Sequence, residues 1–336
     1  KFEISDISDW VFLDVETTGL AGGTGTHVFL VGLGWLAAAG FRVRQYFLRD
    51  LAAERELLEQ VAAEFTGDKL LVTYNGKLFD APLLETRYRL ARKPSPLEAL
   101  AHLDLLYPAR RLWKPRFGSA RLLELERHLL GHEREDDVPG ELIPHLYFDF
   151  LRRGDERRLE AVFGHNADDL LTLAALAARL LALAASPEET HEDSLELVGV
   201  ARLFERAELI ERAATLYEQA LTDHLPEESA RAARLRLSFL HKRRRDYESA
   251  AALWRELAED GSAADRIALI ALEQLAICYE HRLGEPEKAK EATWRALKVL
   301  DSLLATEREG RRARLANRLQ RLARRTEANY CTSFLE

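Results

Sequence analysis

The stretch from Trp10 to Leu20, WVFLDVETTGL, constrains the fold more than any other part of the chain. It is an apolar run that ends in two carboxylates, Asp14 and Glu16, followed at once by Thr17, Thr18, Gly19 and Leu20. A strand alternates its faces with period two, so Asp14 and Glu16 point the same way. Val11, Phe12, Leu13 and Val15 mark the surroundings as largely buried. Two like charges held that close repel, and burying them is costly without a partner. Whatever fold accepts this segment must bring compensation to that spot.

At 336 residues, with 47% hydrophobic and 31% charged residues, the chain is long enough for two domains of ordinary soluble globular protein. No run approaches a membrane span and no signal peptide is visible, so no membrane role is expected. Cys278 and Cys331 are too few for a disulfide framework, which fits a reducing, cytoplasmic location. The net charge of -8 argues against a protein coated in nucleic acid, but the basic residues are clustered, and clusters matter more than the sum.

Residues 1–185 read as an α/β domain. Val11 to Val15, His27 to Trp35 and Phe41 to Leu48 are expected to be three successive strands, with the Gly-rich GLAGGTGT turning the first toward the second. Helical spacing follows over Leu51 to Phe65, a short strand ends at Asn75, and helices are expected at Ala81–Arg92, Ser119–Leu130 and Asp168–Leu183. That order suits a mixed sheet with flanking helices.

Residues 186–336 are helical in pattern throughout, rich in Ala, Leu, Arg and Glu. The segments RAATLYEQAL, SAAALWRELA and KAKEATWRAL begin at Arg212, Ser249 and Lys288, 37 and 39 residues apart, with small residues recurring on one helical face. The spacing is slightly longer than the roughly 34-residue tetratricopeptide period. Helix pairs of this kind must stack to bury their faces, so the region reads as an all-α, tetratricopeptide-like array of about three repeats, a plain helical bundle being the alternative.

Two further segments carry acidic residues. In YNGKLFDAPLLETRY a strand end at Tyr74 and Asn75 runs through a turn to Asp80, which taken alone is equally well explained as a helix N-cap before Pro82. In FGHNADDLLTLAALAARL, Asp169 and His165 share the stripe of Leu173, Leu176 and Leu180, while Asp168 is turned away to cap or face water. If Asp14, Glu16, Asp80 and Asp169 converge, divalent metal ions are the natural compensation. Two hard cations about 3.5–4 Å apart activate a water and stabilise the leaving oxygen in phosphodiester cleavage.

FLDVETTGL, YNGKLFDAP and HNADDLLTL resemble, in order, the three exonuclease motifs of the DnaQ-like, or DEDD, 3'-5' exonucleases of the ribonuclease H-like superfamily. The chain is more similar still to bacterial YprB-type proteins, a ribonuclease H-like domain followed by tetratricopeptide repeats. GLAGGTGTHVFLVGLGW, DLLYPARRLWKPRFGSARLLELERHLLG and DDVPGELIPHLYFDFLRRGD carry that closer likeness. The resemblance implies that Asp14, Glu16, Asp80 and Asp169 hold two magnesium or manganese ions. The family's third motif has either a Tyr with three residues between it and the final Asp or a His with four, and this sequence departs from both. Here His165 stands at the tyrosine-type spacing, with three residues between it and Asp169. It is expected to orient or deprotonate the attacking water, its unperturbed pKa of about 6.5 permitting base chemistry at neutral pH.

Thr17, Thr18, Gly19 and Leu20 are expected to form the turn that meets a terminal nucleotide, with Leu20 packing on its base, and Asn75 to position the strand end or substrate. Asp104 is expected near the site in a supporting role. Arg110, Arg111, Lys114, Arg116 and Arg121, interleaved with Trp113 and Phe117, combine phosphate-neutralising charge with aromatic rings, as single-stranded nucleic acid requires. His241–Asp246 and the arginine-rich segment from Arg311 to Arg325 add basic surface in the helical region, solvated or guiding.

The sequence therefore points to a metal-dependent 3'-5' exonuclease on single-stranded DNA or RNA ends, with repeats recruiting substrate or a protein partner. Two alternatives stand beside it: an adaptor that binds nucleic acid without cutting it, and a structure-selective endonuclease on the same fold.

Overall fold

The structure, a computed structural model, describes residues 6–19, 23–135, 137–259, 265–303 and 309–333, the side chains of 309 and of residues beyond 325 excepted. Leu20 and the Cys331 side chain lie outside the described part. The chain divides into two compact units, Lys1–Thr190 and His191–Glu336.

In the first unit five described strands, β1 (Trp10–Thr17), β2 (Val28–Ala37), β3 (Gly40–Phe47), β4 (Leu70–Thr73) and β5 (Ala101–Asp104), form one sheet in the order β3-β2-β1-β4-β5. β1, β2 and β3 pair antiparallel, whereas β4 and β5 run parallel to β1. Trp10, Val11, Phe12 and Leu13 are all buried, because β1 is central and covered on both faces. That burial explains the continuous apolar run where a half-exposed strand would alternate.

The helices of this unit are α1 (Glu54–Ala62), α2 (Asp80–Leu90), α3 (Leu106–Leu112), α4 (Lys114–Phe117), α5 (Leu122–Leu125), α6 (Ile143–Arg153), α7 (Leu159–Ala185) and α8 (Pro187–Thr190). Leu57, Leu58 and Val61 of α1 join Ile143, Leu146, Tyr147 and Phe150 of α6 in a core against Val11, Leu13 and Val15. Tyr147 stacks on Phe29 at 4.0 Å between ring centres and donates its hydroxyl to Leu48 O at 2.8 Å. The helix expected over Ser119–Leu130 is instead α5 followed by one turn of π-helix, Glu126–Leu130, and α7 starts at Leu159, well before Asp168. Asp168 therefore lies inside a helix and caps nothing.

The second unit is helical throughout its described residues: α9 (Ser194–Arg206), α10 (Ile210–Thr222), α11 (Glu227–Arg243), α12 (Tyr247–Glu259), α13 (Arg266–Cys278), α14 (Pro286–Ser302) and α15 (Glu309–Ser333). Each packs on its chain neighbour. The three aligned segments fall on α10, α12 and α14, whose Ala213, Ala214, Ala250, Ala251, Ala289 and Ala292 are buried and let neighbouring helices approach. Tyr217 and Trp254 are buried as well, but Trp294 is exposed, because Thr293 takes the inward position in the third segment.

Much of the basic surface expected here is engaged within the unit. Glu280 is buried and receives Arg321 at 2.7 Å and Arg318 at 3.2 Å, so α15 docks through two of its arginines. In the His241–Asp246 run, His241 meets Asp246, Lys242 donates to Gln274, and Arg243 pairs with Glu208. No described helix is long and apolar enough to cross a membrane.

Candidate active site

Because β1 and β4 run the same way, their carboxyl ends meet at one edge of the sheet. β1 ends there with Asp14 and Glu16, and the turn after β4 leads to Asp80, the first residue of α2. Phe79 occupies the cap position with no side-chain cap hydrogen bond, so Asp80 is not the N-cap its sequence context allowed. Asn75 opens the turn in the left-handed region at φ 65°, which asparagine tolerates better than most residues. Buried Asp104 at the end of β5 accepts the backbone N–H groups of Asn75 (2.8 Å), Lys77 (3.1 Å) and Leu106 (3.0 Å). It braces the turn that delivers Asp80.

α7 crosses β1 and carries His165, Asn166 and Asp169 to the same edge. Burial drives the Asp14 carboxyl well above the usual carboxylate range, and the charges of Asp169, Glu16 and Asp80 push the same way. Glu16 is pushed up to about 8, by burial first, with Asp169 and Asp80 adding to it against the opposing His165. Asp80 rises to about 7 through burial and the charges of Asp104 and Asp169, against its own backbone N–H. Asp169 is raised by burial against His165 and Arg134. Four carboxylates from three distant segments thus share one electrostatic neighbourhood.

The donor set fits hard divalent cations: it offers oxygen alone, and its members suffer from a mutual repulsion that a cation relieves. Among the described residues no group of three or more His, Cys, Asp or Glu side chains is already closed around one point as a metal ion requires. Asp169 is instead engaged by an arginine that sequence reasoning missed. Arg134, its side chain 3% exposed, donates from Nη2 to Asp169 Oδ1 at 2.6 Å and to Glu126 Oε2 at 2.6 Å.

His165 Nδ1 lies 2.7 Å from Asp137 Oδ1, and its Nε2 lies 3.7 Å from Asp169 Oδ2 and 4.0 Å from Glu16 Oε1. Burial disfavours the imidazolium, but Asp169, the Asp137 hydrogen bond and Glu16 outweigh it, and the His165 pKa is raised. Asp137 was also missed. Both sit in the charged segment EREDDVPG, which reads as solvated loop; the available signal was Glu126, an acid amid the apolar residues of LLELERHLL that burial obliges to find a cation.

Beside Glu16 and Asp80 opens a cleft of about 690 Å³ whose lining includes Thr17, Gly19, Gly23, Leu78, Phe79 and Pro82. Leu78 and Phe79 are 64% and 57% exposed. The Thr17 hydroxyl donates to Gly19 O (2.9 Å) and the Thr18 hydroxyl accepts from His27 N (2.9 Å), so both shape the turn. Buried Arg87 anchors the returning chain, pairing with Glu54 and donating to Thr24 O at 2.8 Å.

Of the basic stretch, Arg110 and Lys114 are exposed, while Arg111 folds back onto Tyr107 O at 2.9 Å. Trp113 is 2% exposed and belongs to the core, which rules it out as a stacking platform. Phe117 takes a partner of its own, stacking on His128 at 4.7 Å with Arg116 over its ring.

A five-stranded mixed sheet in the order β3-β2-β1-β4-β5, with acidic residues at the carboxyl end of central β1 joined by others from α2 and α7, has the architecture of a ribonuclease H-like α/β domain. Residues 11–181 match the RNase_H superfamily, and the chain belongs to that family. It is also 33% identical over 311 residues to the uncharacterized protein YprB of Bacillus subtilis (strain 168), covering 92% of this chain and 74% of that protein. Membership of the superfamily implies a hydrolase of nucleic acid, and such nucleases generally use divalent metals.

Proposed function

We propose that this chain is a DEDD-type, metal-dependent 3'-5' exonuclease on single-stranded DNA or RNA ends. The observation that carries the reading is the convergence of Asp14, Glu16, Asp80 and Asp169, whose pKa values burial raises in one shared neighbourhood. They would hold two magnesium or manganese ions, which when bound supply charge neutralisation, a more acidic water and stabilisation of the leaving oxygen. His165, held through Nδ1 by Asp137, keeps Nε2 on the carboxylate side and orients or deprotonates the attacking water. Thr17, Thr18 and Gly19 shape the cleft for a terminal nucleotide, exposed Leu78 and Phe79 pack on its base, and Asn75 sets the turn beside it. Arg110, Arg111 and Lys114 neutralise phosphates upstream. The second unit serves as a tetratricopeptide-like surface that recruits substrate or a protein partner; the buried alanines recurring on α10, α12 and α14 support the repeat-like packing.

The test is degradation of 3'- and 5'-labelled single-stranded DNA and RNA with magnesium or manganese, beside an Asp14→Ala/Asp169→Ala double variant. Metal-dependent laddering from the 3' end that disappears in the variant supports the exonuclease. Release of oligomers in place of mononucleotides makes it an endonuclease. A non-cleaving adaptor is the second reading, favoured by the pairing of Arg134 with Asp169. Intact binding without cleavage of any substrate selects it.

A further inference from the structure

Asp14, Gly32 and Gln45 form a row across three neighbouring strands. Asp14 of β1 is in register with Gly32 of β2, and Gly32 with Gln45 of β3. The middle position has no side chain, and Asn166 of α7 fills the gap. A Cβ on residue 32 would lie 2.1 Å from Asn166 Oδ1 and 2.8 Å from its Cγ, so the Asn166 side chain needs glycine at 32. Asn166 is fully buried, and its amide spans the row. Nδ2 donates to Asp14 Oδ2 at 2.8 Å and approaches Asp14 O at 3.3 Å, while Oδ1 accepts from Gln45 Nε2 at 2.9 Å.

The direction of this chain follows from one atom. Gln45 Nε2 also donates to Phe163 O at 2.8 Å, and a backbone carbonyl can only accept. Gln45 therefore turns its amino group toward α7, Asn166 answers with its oxygen, and the Asn166 amino group is left for Asp14. Amide orientation, ordinarily assigned from its surroundings, is here dictated by a fixed acceptor.

We infer that Asn166 is a positioning residue for metal binding: it holds the Asp14 carboxylate in one rotamer through Oδ2, leaving Oδ1 and a remaining Oδ2 lone pair for a divalent cation. The inference rests on the metal-dependent reading above. Hydrogen-bond partners of metal ligands are typically worth about 10- to 100-fold in metal affinity.

The full chain is compared with Asn166→Ala, Gly32→Ala and their combination, reading metal-free Tm and Mn2+ affinity from the electron paramagnetic resonance of free Mn2+. Gly32→Ala alone collides with Asn166, and Asn166→Ala alone leaves a hole; together the new methyl group enters the vacated space. The double variant is expected to melt above either single variant and near the wild type, yet to bind Mn2+ about tenfold or more weakly. Wild-type Mn2+ affinity in a folded double variant overturns the inference and leaves Asn166 a packing role. Gln45→Leu, on edge strand β3 and away from Asp14, is a second probe should the double variant not fold. It is expected to fold with a lowered Tm, since Asn166 Oδ1 and Phe163 O lose their donor, and to lose affinity severalfold; unchanged affinity there overturns the inference as well. A wild-type chain that binds no Mn2+ sinks the metal reading itself, and so separates that failure from failure of the Asn166 role.

Discussion

Arg134 grips Asp169 and Glu126 together, with Nη2 2.6 Å from a carboxylate oxygen of each. The Arg134 and Glu126 side chains are almost wholly removed from water. Breaking such a pair from one side strands a buried charge, which costs about 3–5 kcal/mol. Arg134→Leu is therefore expected to destabilise the metal-free protein by that order in urea denaturation. Manganese should recover the part due to Asp169 but leave the part due to Glu126. A loss below about 1 kcal/mol would match an exposed pair and contradict the burial.

Stability of the metal-free chain is expected to fall as pH rises from about 5 to about 8.5. Glu16 and Asp80 are pushed up to about 8 and about 7, so the folded chain keeps protons there that the unfolded chain has already lost. Their contribution is complete below the unfolded values near 4 and vanishes as pH passes the folded ones. His165, also raised, loses its contribution in the same direction. Thermal melts across that range should show a declining Tm, flattened by saturating magnesium. Glu16→Gln should raise metal-free stability at pH 8 by on the order of 1–3 kcal/mol, a gain made where function is given up. A Tm that climbs with pH would contradict the assignment.

The first four strands and the segments that bring the four carboxylates near one another were legible because their signals are local. The apolar run that ends in Asp14 and Glu16, a turn before Asp80 and a 3.6-residue stripe through Asp169 each lie within one short segment. Strand β5 was not legible: Ala101–Asp104 alternates apolar and polar residues, but four residues are too few for that period to stand out, and its identity comes from pairing with β4. Helix α6 was missed although its Ile143, Leu146, Tyr147 and Phe150 carry helical spacing, because the preceding VPGEL reads as loop. The partners that finish the site were harder still. Asn166 lies 152 residues from Asp14 and Asp137 lies 28 from His165, so nothing near either residue announces its contact.

Asp137 holds His165 by Nδ1, which fixes the nitrogen that faces Asp169 and Glu16. If His165 acts on the attacking water, His165→Ala should lower kcat by about 10²–10⁴. Asp137→Asn keeps the imidazole but loosens its orientation, and a smaller fall, on the order of tenfold, is expected with KM unchanged. Single-turnover cleavage at saturating enzyme separates the chemical step from binding. Wild-type kcat in Asp137→Asn would confine Asp137 to anchoring its loop.

Phe79 is 57% exposed immediately before Asp80, a place where the fold gains little from an aromatic ring. Its value lies in the cleft, where a base laid on the ring would seat the strand end beside the carboxylates. Stacking of this kind is worth about 1–3 kcal/mol per base. Phe79→Ser is thus expected to leave Tm within a degree or two of the parent while weakening single-stranded oligonucleotide binding by roughly 5- to 100-fold. Fluorescence anisotropy in an Asp14→Ala background reads binding without cleavage. The same substitution at Leu90, exposed at the far end of α2, should change neither quantity, and equal losses at both positions would show that the effect does not come from the cleft.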